Sequence, residues 1–373
     1  MDTHLYEQLY MHIVHEIQQG KLKAGDRVPS EKELAEQFGV SRITSKKALE
    51  KLAEAGVITR IQGKGSFVAD GHPSALKPMR QSEERTSTVI HFQQRPLIGL
   101  IIPSFSDEYG LKLLQAMEKQ SALHECDLII KRTGGSKEEE EHAIQLLVSL
   151  GVKGLIVTPV HGTHYNAELI RLVLAKFPVV LVDRYLKGIP VCSVYTDNRK
   201  AAQDLTLHLI GKGHQDIAYL SPPVENTSAL EDRLLGYTLA FTWEGLKLNQ
   251  EYCLTNFTGT RSGSWAEDLE TLKSFLVQNT SVKGFVVSEY LVATMLAQVI
   301  DAQGKQLETY DIVCFDSLND FLGKPIFTHI QQDEKRMGEE AVDLLISQIH
   351  GEVITEHRIV EHRMIVQEAS IPN

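Results

Sequence analysis

The chain has few cysteines, no long apolar run and no familiar catalytic signature, and each scarcity removes a class of protein. Its four cysteines, Cys126, Cys192, Cys253 and Cys314, lie far apart and form no CxxC pair. That spacing encodes neither a disulfide framework nor a zinc ribbon. Three of the four sit in or beside apolar strand-like runs, as reduced, buried packing residues do. No apolar stretch approaches the roughly twenty residues of a membrane span. The opening MDTHLYEQLYMHIVHEIQQG is amphipathic and partly acidic, without the basic start, apolar centre and cleavage site of a signal peptide, so a cytoplasmic protein is expected. GxSxG, HExxH and GxxxxGK[ST] are all missing, and the chain reads as a non-enzyme that needs no cofactor. HGTH at 161–164 puts two histidines in one loop, a weak metal signal. Glu138 to Glu141 read as the solvated start of a helix.

Positive charge is scarce too. The 373 residues carry 38 Lys and Arg against 49 Asp and Glu, a net −11, which argues against coating nucleic acid along the whole chain. The distribution is uneven. Residues 1–69 hold ten basic and nine acidic residues. Between 41 and 64 there are six basic residues, Arg42, Lys46, Lys47, Lys51, Arg60 and Lys64, against Glu50 and Glu54. A local patch of this kind is an electrostatic footprint for DNA on an otherwise acidic protein.

The N-terminal residues spell a small module. Leu5, Leu9, Ile13 and Ile17 recur every four positions, which predicts a helix over 4–19, stopped by Gly20. Ala24-Gly25-Asp26 is a turn, and Arg27-Val28 an extended piece before Pro29. Ser30 with Glu33 three residues on is a capping box for a helix that buries Leu34, Ala35 and Phe38 and ends at Gly39. Ser41 caps the next helix, which runs to about Ala55 and buries Ala48, Leu49 and Leu52, with Ile43 a candidate for the same face. VITRIQ and GSFVA then make a hairpin with Gly63-Lys64-Gly65 at its tip. Helix, helix, tight turn, helix and hairpin make a winged helix-turn-helix. Its recognition helix enters the major groove by its N-terminal end.

This stretch, with G-D-R-V-P-S-E-x-E-L-A, G-V-S-R-x-T and G-x-G-x-F-V, resembles the DNA-binding domain of the GntR family of bacterial transcription regulators over residues 4–69. The resemblance implies DNA contacts from Ser30 or Glu31, from Ser41, Arg42, Thr44 and Lys46, and from Gln62, Lys64 and Gly65. The family usually has Arg at the position of Lys46 and an apolar residue at that of Ser45. Lys cannot make the bidentate contact of Arg, so the bases read are not carried over. Residues 70–96, with three prolines, Ser, Thr and mixed charge, read as a flexible linker between a domain at 1–69 and one at 97–373.

From Leu97 the pattern changes to apolar strand runs alternating with helical periods: PLIGLIIP, CDLIIKRT, VKGLIVTPV, PVVLVD, CSVYTD, QDIAYLS, SVKGFVVS and DIVCFDS. Such alternation gives parallel sheets covered by helices, an α/β fold large enough here for two sheets. Ligands of open α/β sheets sit beyond the carboxyl ends of the strands. Polar residues recur there: Ser106 and Asp107, Arg132, Asp183 and Arg184, Tyr195, Ser288 and Glu289, and Asp316. Carboxylates that accept hydroxyls, Arg donors, and aromatic faces from Phe105, Tyr109 and Tyr195 suit a polyhydroxyl ligand such as a sugar.

VVLVDR, VYTDN, HLIGKGHQDIAYLS, RLLGY, DIVCFDS and THIQQDEKRMGEEAVDLL, within residues 96–368, resemble the LacI-type regulator core, which is similar to periplasmic sugar-binding proteins. The resemblance implies a two-lobed, type I periplasmic-binding-protein-like domain, with crossovers near 195–198, 316–330 and in a late segment. It carries effector contacts onto Asp183, Arg184, Arg233, Ser288, Glu289, Asp316 and Gln332. The family's Asn-Asp pair is here Ser288-Glu289, so ligand identity cannot be copied. A GntR-type reader on a LacI-type sensor resembles the arabinose repressor subfamily. It implies a homodimeric repressor in the cytoplasm, at the nucleoid through its operator, which a sugar releases, with L-arabinose the leading effector. The alternatives are another sugar and a corepressor role. An aminotransferase-like domain, carried by some GntR-type chains, would need a PLP lysine motif that is missing. A transport protein would not carry the N-terminal reader.

Overall fold

The computed structural model describes residues 5–61, 64–69, 95–162, 166–259, 263, 265–352 and 355–367. The chain divides into two units, Met1–His91 and Phe92–Asn373. The proposed linker lies almost wholly outside the described residues, as do Gln62 and His164.

In the first unit, α1 spans Leu5–Gln18, β1 Arg27–Val28, α2 Glu31–Phe38, α3 Arg42–Glu54, β2 Ile58–Ile61 and β3 Gly65–Val68. The local signals act as their chemistry requires. Ser30 Oγ accepts from Glu33 N while Glu33 accepts from Ser30 N, both halves of the capping box. Gly39 takes φ 65°, the left-handed conformation that lets the chain leave α2 and turn into α3. The hairpin β2–β3 is antiparallel, and β1 adds to the far side of β3. Ile13, Val14, Leu34, Leu49, Leu52, Ile58 and Val68 make the core. Two expectations fail. Ile43 is 80% exposed and Phe38 37% exposed. Ile43 lies one position after Arg42, on the face of α3 turned away from α1 and α2. Phe38 reaches only the edge of His12, at 4.8 Å between ring centroids.

The second unit opens with β4 Leu97–Ile102, α4 Leu111–Leu123, β5 Asp127–Arg132, α5 Lys137–Ser149, β6 Leu155–Val157, α6 Ala167–Leu174, β7 Val179–Val182 and β8 Cys192–Thr196. It continues with α7 Asn198–Gly211, β9 Ile217–Leu220, α8 Ser228–Trp243, β10 Cys253–Leu254 and α9 Ala266–Gln278. It closes with β11 Gly284–Val287, α10 Tyr290–Ala302, β12 Asp311–Phe315, β13 Thr328–Gln332, α11 Glu334–Ile349, β14 His357–Val360 and β15 His362–Ile365. Two six-stranded sheets result, in the orders β14-β8-β7-β6-β4-β5 and β10-β9-β11-β12-β13-β15. Every pairing is parallel except β13 with β15. The central strands β4, β6, β7, β9 and β11 are covered on both faces, which is why they are apolar along their length. Met117, Val180, Val342 and Leu345 pack one face of the first sheet, and Ile144, Leu155, Leu169 and Leu181 the other. Phe285, Leu272 and Leu296 cover one face of the second, and Tyr219, Tyr237 and Phe241 the other.

The chain passes between the sheets three times: from β8 into α7, from β13 into α11, and from β14 into β15. The expected crossover at 316–330 is therefore corrected to 332–334. The segment 316–327 joins β12 to β13 inside one sheet, because β13 pairs with β12 in register and continues the same lobe. The strand β13 and the late pair β14 and β15 carry His, Arg, Gln and Thr among their apolar residues, which hides them from a search for apolar runs. Two helix contacts need glycine. A Cβ on Gly236 would stand 2.0 Å from Arg199 O, and one on Gly338 would stand 2.8 Å from Leu113 O, so α7–α8 and α4–α11 pack backbone to backbone.

Candidate functional site

The first unit gathers its polar residues at the start of α3. Ser41 Oγ accepts from Thr44 N at 3.1 Å and meets Thr44 Oγ1 at 2.8 Å, so both hydroxyls are engaged in the cap. Arg42 is exposed beside them. Lys46 lies 3.9 Å from Glu50, a loose surface pair that leaves it available. Lys47 stands over the Tyr6 ring at 4.3 Å. The wing brings exposed Lys64 and Gly65, the latter at φ 114°. A groove of about 570 Å³ runs between helix and wing, lined by Arg27, Ser30, Glu31, Lys32, Arg42, Arg60, Gly65 and Ser66 among others. Of the residues named from the sequence for this surface, Ser30, Glu31, Arg42 and Gly65 line the groove. Glu31 accepts an ion pair from Arg60 at 3.3 Å. Arg27 and Lys32 also line the groove and were not named from the sequence, and Arg60 was counted in the basic patch without a contact of its own; Arg27 sits in the G-D-R-V-P-S run and could have been read from it. Helix start, wing and basic groove form a surface that fits a duplex: Arg donors for base edges and phosphates, backbone N–H groups, and small residues that let the backbone approach.

The second unit holds a cleft of about 490 Å³ where the carboxyl ends of the two sheets face each other. Its symmetry is visible in two aspartates. Asp183 follows β7 and Asp316 follows β12, at φ 72° and 56°. Each donates its backbone N–H onward to the neighbouring strand, Asp183 to Val194 O and Asp316 to Ile330 O, both at 2.9 Å. The left-handed turn there lifts each carboxylate off its strand end. Tyr109 Oη donates to Asp183 Oδ1 at 2.6 Å, and Arg184 Nε lies 3.2 Å from Asp183 Oδ2. Arg184 also donates to Pro159 O at 2.6 Å and meets His161 Nε2. On the other lobe Arg233 donates to Asn198 Oδ1 and to Ser288 O and lies 3.7 Å over the Phe315 ring. Gln332 donates to Asp316 Oδ2 at 2.9 Å. Burial pushes the Asp316 carboxyl up to about 7, against the opposing pull of Arg233. Burial likewise raises Glu334, whose carboxylate accepts Gly110 N and Leu113 N and so caps α4 from the crossover.

Of the twelve residues named from the sequence for this site, the cleft brings together Ser106, Tyr109, Arg132, Asp183, Arg184, Arg233, Ser288, Glu289, Asp316 and Gln332. Tyr195 and Asp107 are not among its lining. Tyr195 packs against Tyr185 instead, with ring centroids 4.8 Å apart and planes tilted by 36°; strands put neighbouring residues on opposite faces, so strand-end position alone does not say which way an aromatic points. Asp107 is exposed while its neighbour Glu108 lines the cleft. The sequence reading also missed Thr158, His161, Leu230 and Tyr290. Thr158 could have been found, since it follows β6 as Asp183 follows β7. Thr158 Oγ1 on one lobe and Gln332 Oε1 on the other are buried on this lining with no hydrogen-bond partner among the described residues. His161 lines the cleft, and no cluster of three metal-ligating side chains exists among the described residues. No helix among the described residues is long and apolar enough to cross a membrane.

A winged reader surface on one unit and a polar interlobe cleft on the other define a DNA-binding transcription regulator with a ligand-binding core. Comparison with known proteins agrees. Residues 5–68 match the bacterial regulatory proteins of the gntR family, and residues 95–368 match the periplasmic binding proteins and sugar binding domain of the LacI family. The chain belongs to the LacI-type family with a GntR-type reader, and it is a transcriptional repressor of that combined type rather than an enzyme. It is 28% identical to the arabinose metabolism transcriptional repressor of Geobacillus stearothermophilus over 92% of this chain and 91% of that one. Among solved structures, the transcription regulator CcpA of Lactococcus lactis superposes with a TM-score of 0.63 at 20% identity, covering 74% of this chain and 98% of that one. A LacI-type regulator from Alkaliphilus metalliredigens, complexed with D-xylulofuranose, gives 0.60 at 22% identity, covering 74% and 99%.

Proposed function

We propose that this repressor binds a palindromic operator as a homodimer and leaves it when a small sugar, L-arabinose, fills the cleft. In this reading residues 1–69 read DNA, 70–96 connect, and 97–373 bind effector and dimerise, in the cytoplasm at the nucleoid. Ser30, Ser41, Arg42, Thr44, Lys46, Gln62, Lys64 and Gly65 serve the duplex. Asp183, Arg184, Arg233, Asp316 and Gln332 grip the sugar from both lobes, so that binding draws the lobes together and favours a dimer with lower operator affinity. The observation that carries the reading is the pair of opposed aspartates with Thr158 Oγ1 and Gln332 Oε1, which have no partner among the described residues: acceptors and donors enough for several hydroxyls in a cavity of sugar size. Likeness to an arabinose repressor supports L-arabinose. The Ser288-Glu289 pair on the lining favours a second reading, in which another pentose, a hexose or a sugar derivative is the effector.

The test is calorimetric titration of the full chain with a sugar panel led by L-arabinose, followed by release of a bound duplex by each sugar that binds. Arabinose binding with DNA release supports the first reading. Binding of a different sugar with release supports the second. Tighter DNA binding on adding sugar would mean corepression, and no response to any sugar would sink the effector assignment.

A further inference from the structure

Ser45 is a buried polar residue in the heart of the reader. It is fully covered, on the inner face of the first turn of α3, next to exposed Arg42, Ile43 and Lys46. Its hydroxyl donates to Glu31 O at 2.7 Å and lies 3.1 Å from Arg42 O. The second contact is local. The first crosses from the recognition helix to the first residue of α2. Glu31 in turn sends its carboxylate to Arg60 on the wing strand β2, at 3.3 Å. Three elements that surround the groove, the start of α2, the start of α3 and the wing, are therefore tied through one residue. Apolar contacts between α3 and α2 are non-directional. A hydroxyl held to a carbonyl fixes both distance and direction, and a buried donor left unmade is costly.

We propose that Ser45 is a positioning residue for sequence reading: its hydrogen bond to Glu31 O sets the angle at which α3 presents Arg42, Thr44 and Lys46, and Glu31 acts through Arg60 and Ser45 rather than on DNA. The inference rests on the DNA-reading role of this unit. It differs from the contacts implied by family likeness, which place Glu31 on the duplex and an apolar side chain at position 45.

The pair Ser45→Thr and Ser45→Val tests it, because Thr and Val have the same shape and differ by the hydroxyl. Ser45→Ala adds a smaller variant in case either branched side chain crowds the site. The probe is a duplex recovered from a random library by the full-length wild-type chain. Operator affinity, discrimination against a scrambled duplex and the salt dependence of binding are measured for each, with circular dichroism to confirm folding. Val and Ala should bind roughly three- to tenfold more weakly with reduced discrimination, as expected for one lost hydrogen bond. Thr should stay near wild type. The slope of log affinity against log salt should be the same in all, since no phosphate contact is removed. Equal binding by Thr and Val would overturn the proposal, as would a slope lower by about one in Val and Ala, the mark of a lost Lys or Arg phosphate contact rather than a turned reading helix. If the wild-type chain recovers no duplex, the DNA-reading role fails and the proposal falls with it. A wild type that reads DNA while Val matches Thr removes the Ser45 proposal alone.

Discussion

Asp316 offers the sharpest test of the cleft. Its carboxyl is held near 7 by burial, against an ordinary value of 3.8. Between those values the folded chain keeps a proton that the unfolded chain has released. Stability therefore falls as pH rises through this window and stays low above it. About three pKa units correspond to roughly 4 kcal/mol as a ceiling. Part of the side chain faces the open cleft, so solvent screening brings the expected figure to about 2 kcal/mol. Asp316→Asn removes the titration while keeping an oxygen for Gln332 and a side chain that tolerates φ 56°. The variant should be more stable than wild type above pH 7 by about 2 kcal/mol, with the gap closing toward pH 4. Urea denaturation at half-unit pH steps measures it. Glu140 is raised by burial in both proteins and cancels in the difference between the two curves, which reports Asp316 together with its repulsion by Glu334. Sugar binding should weaken in the same variant by tenfold or more, the worth of a charged acceptor. A stability gap that does not change with pH would refute the burial argument.

Three further outcomes are expected. Arg42→Ala should cost about 1–3 kcal/mol of duplex binding while calorimetric sugar binding is unchanged, because Arg42 and the cleft lie in separate units. Gly236→Ala drives a Cβ to 2.0 Å from Arg199 O; the α7–α8 contact must open, and denaturation should show a loss of about 3 kcal/mol or more. Ser30→Ala removes the accepting half of the capping box and should lower the stability of the first unit by about 1 kcal/mol, read by thermal melting, with Ser30→Asp restoring most of it.

The sequence by itself determined the local structure. Ser30 with Glu33, Gly39 and Ser41 place the helix ends through hydrogen bonds that reach three or four residues, so their meaning is complete in the sequence. The apolar runs at Leu97–Ile102 and Val179–Val182 announce buried parallel strands for the same reason: burial on both faces leaves no polar position. Strand ends then give most of the cleft, since polar residues such as Asp183 and Asp316 follow those runs directly. Tertiary structure decided the rest. Whether Tyr195 or Thr158 faces the cleft depends on the alternation of β8 and on what β6 packs beside. The crossover at 332–334 depends on which sheet β13 joins, a pairing with residues close to β12 and far from β4. Ser45 and Glu31 are fourteen positions apart, and their bond exists only when α2 and α3 have packed. Asp316 becomes unusual only after distant segments have buried it: burial, with the Glu334 and Asp183 charges, pushes its carboxyl up while Arg233 and Gln332 pull the other way. Short-range hydrogen bonding and the period of burial can be read along a chain. The side a residue faces, and the dielectric it feels, are set by segments distant in sequence.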